Sequence, residues 1–148
     1  MKMSLRKMKE SDIIAVSSLE MGCLENPWPE KQIAYELKED PVAHLYVAVV
    51  DNEVVGYIDF MITFDSASVS RLAVNSEFRN KGIGTALLDK MVEVCLKQKD
   101  RVSWITLEVR ASNLEAIKLY KKNGWEQVTI KKKYYDNEED ALYLVRSI

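Results

Sequence analysis

The sequence predicts an α/β fold, a mixed and twisted β-sheet of about seven strands flanked by about four helices. Apolar runs typical of strands alternate with segments whose apolar residues recur at helical spacing. Strands joined by short turns favour antiparallel pairing, whereas strands separated by a helix favour parallel pairing. With 148 residues, 47% hydrophobic and 30% charged, the chain is expected to form a single domain over residues 1–148.

The first half of the chain is predicted to form one strand, two helices separated by a proline-containing break, and then three strands. Ser11-Asp12 offers an N-cap, Asn26-Pro27-Trp28-Pro29 interrupts the helical pattern, and Asp51-Asn52-Glu53 is typical of a hairpin turn. The expected elements are a strand over 3–9, a helix from 11–12 to about 23, a helix over 30–39, and strands over 44–50, 54–64 and 68–74.

The second half is predicted to alternate helices and strands. Ser112-Asn113-Leu114-Glu115 has the pattern of a capping box, and Asn123-Gly124 suits the end of the helix that follows. The expected elements are a helix over 85–99, a strand over 104–109, a helix over 112–124, and strands over 125–130 and 141–146.

A glycine-rich turn, Arg79-Asn80-Lys81-Gly82-Ile83-Gly84, lies between a predicted strand and a predicted helix. Backbone amides that glycine leaves uncovered, together with the positive end of the helix dipole, form a site for phosphate or pyrophosphate. Arg79 and Lys81 add positive charge at the rim. The alternative is a tight turn that needs glycine only for its backbone conformation.

Glu108 is a candidate general base. Alternation along 104–110 places Glu108 and Arg110 on one face of a strand that we expect to be central and covered on both faces. Burial would raise the pKa of a carboxyl there into a range useful for proton abstraction. The alternative is an ion pair with Arg110 or another cation on a half-exposed strand.

Asn113 and Tyr120 are seven residues apart, so two helical turns bring them to nearly the same face. The amide of Asn113 could bind a ligand group, and the phenol of Tyr120 could donate a proton to a leaving group. The alternatives are helix capping for Asn113 and core packing for Tyr120.

Three aromatic residues suggest the walls of a binding groove. Trp28 is fixed between Pro27 and Pro29, and Tyr134-Tyr135 follow the run Lys131-Lys132-Lys133. Amphipathic rings are common in binding walls. Trp28 could instead staple two helices, and the lysine run is more typical of a solvated face.

Bulk properties narrow the function classes. A net charge of −2 argues against direct nucleic-acid binding and against an anionic membrane surface as partner. Cys23 and Cys95 are far apart, with Cys95 expected to be buried, which favours a reducing cytoplasm. No export segment, membrane span, metal-ligand cluster or Ser/His/Asp arrangement is evident.

Taken together, these motifs resemble the GNAT N-acetyltransferases, and in particular their RimI-type branch, which acetylates protein N-termini. The turn at 79–84 matches the family's R-x-x-G-x-G signature for acetyl-CoA. Residues 106–113, 116–120 and 124–125 look like its L-E-V-R-x-S-N…A-I-x-L-Y…G-F run, with Trp125 in place of phenylalanine. Asn26-Pro27-Trp28-Pro29-Glu30-Lys31 and Tyr134-Tyr135…Glu139-Asp140-Ala141 resemble its P-W-x-E-K and Y-Y…E-D-A segments.

The resemblance implies a GNAT fold and the use of acetyl-CoA without a metal. It assigns Glu108 as general base and Tyr120 as general acid, and it places the acceptor, a protein N-terminus such as that of a ribosomal protein, against Asn26, Pro27, Trp28, Tyr134 and Tyr135. The residues that it assigns to acetyl-CoA are Leu72, Ala73, Val74, Arg79, Asn80, Lys81, Gly82, Ile83, Gly84, Thr85, Asn113 and Tyr120. We expect a monomer or weak dimer. The alternatives are a GNAT enzyme that acts on a small amine or lysine side chain and a non-catalytic CoA-binding module.

Overall fold

The computed structural model describes residues 2–99 and 101–148, which form a seven-stranded mixed sheet with helices on both faces. The strands are β1 (Met3–Lys7), β2 (Ala43–Val50), β3 (Glu53–Thr63), β4 (Ser66–Val74), β5 (Trp104–Arg110), β6 (Glu126–Lys131) and β7 (Ala141–Ser147). The helices are α1 (Ile13–Cys23), α2 (Glu30–Lys38), α3 (Ile83–Leu96) and α4 (Leu114–Lys122). The predicted fold class is confirmed.

The strand order is β1-β2-β3-β4-β5-β7-β6. All neighbouring strands pair antiparallel except β4 and β5, which are parallel because α3 crosses over between them. The β2–β3 hairpin turns at Asp51 and Asn52, whose φ angles of 49° and 65° are typical of a two-residue type I′ loop.

Two hydrophobic clusters pack on opposite faces of the sheet, because alternate residues of each strand point to opposite sides. One cluster joins even-numbered β2 residues such as Tyr46 and Ala48 to α3 and α4. The other joins Leu45 and Val47 to α1 and α2. Helix α1 contacts β3 and β4, and α2 contacts β2, whereas alternate residues of β5 from Trp104 to Arg110 are exposed or partly exposed on this face, so no helix of the described residues covers them.

Three helix starts differ from the sequence prediction. Helix α3 begins at Ile83 because Gly82, at φ +81°, takes the N-cap position. Helix α4 is capped by Asn113, whose Oδ1 accepts a hydrogen bond from the Ala116 N–H at 3.2 Å, and not by Ser112. Asp12 ends a 3-10 turn, and its carboxylate accepts hydrogen bonds from Arg6 and from the Lys9 N–H instead of capping α1.

Two other predicted features, the glycine after α4 and the buried Cys95, agree with the structure. Gly124 follows the end of α4 at φ +90°, as the C-terminal signal predicts. The Cys95 side chain is buried, and burial raises the pKa of its thiol to about 11. No helix in the described ranges has the length and apolar character of a membrane-spanning segment.

Candidate active site

An opening between β4 and β5 is the central feature of the candidate site. The two strands pair only from Ser66↔Trp104 to Ser68↔Thr106 and then diverge. Beyond Ser68 the β4 edge that includes Leu72, Ala73 and Val74 faces no strand of the described chain, although its other edge pairs with β3. The backbone groups that point away from β3 on this edge are therefore open to an extended ligand, except the Val74 carbonyl, which accepts from Cys23 Sγ and Arg79 Nε at 3.3 Å each.

The N-terminus of α3 lies at the end of this edge. The first intrahelical bond runs from the Ala86 N–H to the Gly82 carbonyl at 3.0 Å, so the amides of Ile83, Gly84 and Thr85 have no acceptor within the helix. Such donors, together with the helix dipole, favour an anion, so the phosphate site suggested by the glycine turn stays a prediction at this helix start.

The two glycines of the turn have different roles. Gly82 needs its positive φ of +81°, and a Cβ atom there would meet nothing within 4 Å. Gly84 is buried against α4, because a Cβ atom there would lie 2.8 Å from Leu119 Cδ2. Gly84 therefore serves close helix packing, whereas the sequence suggested only an uncovered backbone for both.

The basic residues of the turn are exposed at the rim. Asn80 has φ +61°, which turns the chain toward the helix. The Arg79 Nε donates to the Val74 carbonyl at 3.3 Å, and its Nη1 lies 3.4 Å from Glu115 Oε2. The Lys81 Nζ lies 5.4 Å from the centre of the Phe78 ring. These contacts lie with Val74, Glu115 and Phe78, and the role of both cations at a phosphate site stays a prediction.

Glu108 lies on β5 beside the opening, on the face that no helix covers. Its side chain is 28% exposed, and its Oε1 accepts a hydrogen bond from Lys131 Nζ at 2.7 Å. The expectation that this strand is covered on both faces is therefore wrong, and an ion pair on a half-exposed strand is what the structure shows. The cation comes from β6 and not from Arg110, because β7 aligns β6 with β5.

Tyr120 lies on α4 and packs on the opposite face of the sheet, edge-on to Trp125 at 5.8 Å between ring centres. Burial first, and then the neighbouring Tyr135, raise the pKa of Tyr120, so that its phenol remains protonated at neutral pH. Tyr135 interacts electrostatically with Glu108 as well, and burial raises its pKa to about 12. Asn113 caps α4 and is exposed at the start of that helix.

Two loops flank the uncovered part of β5. The loop between α1 and α2 carries Asn26, Pro27 and Trp28, and the loop between β6 and β7 carries Tyr134 and Tyr135, whose rings meet edge to face at 5.0 Å. The structure thus places the predicted wall residues in two loops at one end of the sheet.

Arg110 joins these two loops, a role that sequence reasoning missed. Its Nε lies 3.0 Å from Glu25 Oε2 of the first loop, and its Nη1 lies 3.3 Å from Glu139 Oε1 of the second. Its guanidinium also stacks on Tyr135, 4.0 Å from the ring centre. The available signal was an arginine two positions beyond Glu108 on the same strand face.

Glu20 and Arg71 were also missed, although both contact the first loop. The Glu20 side chain is fully buried and pairs with Arg71, which lies on β4 directly before Leu72. A glutamate next to Leu19 on the apolar side of α1 was the signal, because a buried carboxylate requires a partner.

An open strand edge, a free helix N-terminus and flanking acid–base groups suit the binding of an extended, phosphorylated cosubstrate. Comparison with known proteins identifies the class. The profile of the Acetyltransferase (GNAT) family matches residues 13–125, so the chain belongs to this family.

Individual relatives cover nearly the whole chain. A Bacillus subtilis protein, provisionally named a ribosomal protein bS18-alanine N-acetyltransferase, is 38% identical over 97% of this chain and 94% of its own length. An N-alpha-acetyltransferase of Saccharolobus solfataricus is 34% identical over 98% of this chain and 93% of its own. The crystal structure of the Escherichia coli ribosomal-protein-S18-alanine N-acetyltransferase superposes with a TM-score of 0.87 at 26% identity, covering 99% and 94% of the two chains. The chain is an N-acetyltransferase with acetyl-CoA as its cosubstrate.

Proposed function

We propose that this acetyltransferase modifies the α-amino group of a protein N-terminus, with Glu108 as general base and Tyr120 as general acid. The observation that carries the proposal is the opening between β4 and β5, which has Glu108 on one face of the sheet and Tyr120 packed on the other. A thioester placed in that opening would lie between a proton acceptor and a proton donor.

Acetyl-CoA would be held mainly by backbone groups, with three side chains adding contacts. The pantetheine arm would lie along β4 at Leu72, Ala73 and Val74, where the backbone groups that point away from β3 would be its hydrogen-bond partners. The pyrophosphate would lie on the amides over 80–85, of which those of 83–85 have no acceptor within α3, with Arg79 and Lys81 at the rim. Asn113 would contact the cofactor from the start of α4. Its side-chain Oδ1 already caps the helix, so its side-chain N–H groups would be the donors.

The chemistry is a direct transfer. The neutral amine of the acceptor forms a bond to the thioester carbonyl carbon, and the carbon–sulfur bond breaks. Glu108 takes the proton that the amine loses, and Tyr120 donates a proton to the departing thiolate. An α-amino group has a pKa of about 7.7–8.0 and lysine about 10.4, a difference of about 3.4 kcal/mol in deprotonation. A carboxylate is therefore a sufficient base for an N-terminus and a poorer one for lysine.

The acceptor would lie between the two loops, against Asn26, Pro27 and Trp28 on one side and Tyr134 and Tyr135 on the other. Two relatives described above are named for action on ribosomal protein bS18, and one is named an N-alpha-acetyltransferase. We therefore propose a protein N-terminus, such as that of a ribosomal protein, as the acceptor class. Both cysteines are free, the state that a reducing compartment maintains, and we propose the cytoplasm as the location.

The test uses paired peptides of one sequence that contains an internal lysine, one with a free N-terminus and one with a blocked N-terminus. Mass spectrometry should find acetyl transfer to the α-amine of the free peptide and none to the blocked one. Glu108→Gln should lose most turnover while acetyl-CoA binding is kept, and Glu126→Gln, at an exposed β6 position, should leave turnover unchanged. Transfer to lysine or only to small amines would contradict the proposal.

A further inference from the structure

A buried ion pair between α1 and β4 lies behind the first loop of the groove. The Glu20 carboxylate is fully buried and accepts hydrogen bonds from Arg71 Nε at 3.0 Å, from Arg71 Nη2 at 2.5 Å and from the Tyr57 phenol. It also accepts the backbone N–H of Trp28 at 2.9 Å. Because these donors come from β3, β4 and the loop, the carboxylate fixes the loop relative to the sheet.

Arg71 makes two further contacts to the same loop. Its Nη2 donates to the Asn26 carbonyl at 2.8 Å, and its guanidinium carbon lies 4.6 Å from the centre of the Trp28 ring. The planar guanidinium thus contacts a carboxylate, a backbone carbonyl and an aromatic face at once. A lysine ammonium carries no planar fork and cannot reproduce all three contacts.

The position of Arg71 links the two halves of the site. In the β3–β4 ladder the backbone of Arg71 lies opposite that of Asp59, next to a register shift. Arg71 also directly precedes Leu72, the first β4 residue that is proposed to contact the cofactor. One side chain therefore joins the strand that would hold acetyl-CoA to the loop that would hold the acceptor.

We propose that Glu20 and Arg71 form a positioning pair that holds Asn26, Pro27 and Trp28 in the acceptor-binding conformation and so determines the affinity for the acceptor peptide. This inference rests on the proposed function. A buried ion pair contributes little net stability compared with well-packed apolar groups, so its main consequence is the geometry that it imposes on the loop.

A second arginine provides a matched control. Arg6 makes a two-point pair with Asp12 at the other end of α1, with distances of 2.7 and 3.0 Å, and touches neither loop of the groove. Arg6→Met and Arg71→Met therefore remove the same kind of contact from the same helix. Arg71→Lys is a milder variant that keeps the charge and preserves the test if Arg71→Met does not fold.

The experiment measures peptide KM, kcat and acetyl-CoA affinity for the wild type and the three variants, together with hydrogen exchange at the Trp28 amide. We expect Arg71→Met to raise peptide KM about tenfold, equivalent to about 1.4 kcal/mol. Acetyl-CoA affinity should stay within about twofold of the wild type, since β4 is proposed to contact the cofactor through its backbone and not through the Arg71 side chain. Arg71→Lys should fall between, and Arg6→Met should change neither KM nor exchange at Trp28.

Two results would overturn the inference. One is an unchanged peptide KM in Arg71→Met, and the other is an equal rise in Arg71→Met and Arg6→Met, which would indicate general loosening of the fold. Failure of the proposed function has a different signature, because the wild type itself would then acetylate no peptide α-amine. In that case unchanged exchange at Trp28 in Arg71→Met would still refute the positioning of the loop.

Discussion

Replacing Asp59 by asparagine should stabilise the protein at neutral and alkaline pH. Asp59 lies on β3 with a fully buried side chain, and neither of its carboxylate oxygens has a hydrogen-bond donor in the described part of the chain. Burial, and then the neighbouring Glu36 of α2, raise the pKa of Asp59 to about 9, and burial also raises the pKa of Glu36. Two neighbouring buried carboxyl groups are compatible only if one of them keeps a proton.

The sign of the pH dependence follows from where that proton is lost. The unfolded chain releases it near pH 4, whereas the folded protein retains it until the pH approaches 9. This contribution to stability is complete below about pH 4 and is lost as the pH rises toward 9. Between pH 4 and pH 7 the loss is at most about 4 kcal/mol, at about 1.4 kcal/mol for each pH unit.

The assay is urea unfolding at pH 5, 6.5 and 8 for the wild type, Asp59→Asn and Asp65→Asn. The asparagine amide donates to Glu36 at every pH, so the stability gain of Asp59→Asn over the wild type should grow from pH 5 to pH 8. Asp65 is exposed in the β3–β4 turn, and its variant should follow the wild type throughout. Parallel curves for the wild type and Asp59→Asn would refute the shared proton.

Three further predictions concern the site. Tyr120→Phe should lower kcat about 100-fold, within the usual range for a general acid, with little change in acetyl-CoA affinity; loss of affinity alone would contradict the acid role. Gly82→Val should weaken acetyl-CoA binding in calorimetry and destabilise the fold by about 1–2 kcal/mol, because φ is +81° there. Lys131→Gln should keep turnover within about tenfold of the wild type, since the Lys131–Glu108 ion pair is partly exposed and such a pair is worth at most about 1 kcal/mol. A larger loss would show that Lys131 does more than pair with Glu108.

Local signals in the sequence were sufficient to predict the order of helices and strands. Strand and helix periodicity, the hairpin turn at Asn52 and the helix end at Gly124 all depend on residues that are close in sequence. Partners that come from distant segments could not be predicted. Lys131 meets Glu108 only because β7 pairs with both β5 and β6, and no pattern within either strand encodes that register.

The buried polar residues had a weaker signal. Tyr57 and Asp59 alternate with Gly56, Ile58 and Phe60 in a strand whose residues are nearly all buried. Polar side chains on one face of such a strand indicate partners from the helix above it. The pattern does not say which helix, so Glu20 and Glu36 became identifiable only from the packing of α1 and α2.

The most direct test of the central claim is a crystal structure with CoA and an acceptor peptide bound. We expect the CoA sulfur in the opening between β4 and β5, near the Tyr120 phenol, with the pyrophosphate on the amides of 83–85. The peptide α-amine should lie within reach of Glu108, directly or through one water. A sulfur atom outside the opening, or an α-amine remote from Glu108, would contradict the account.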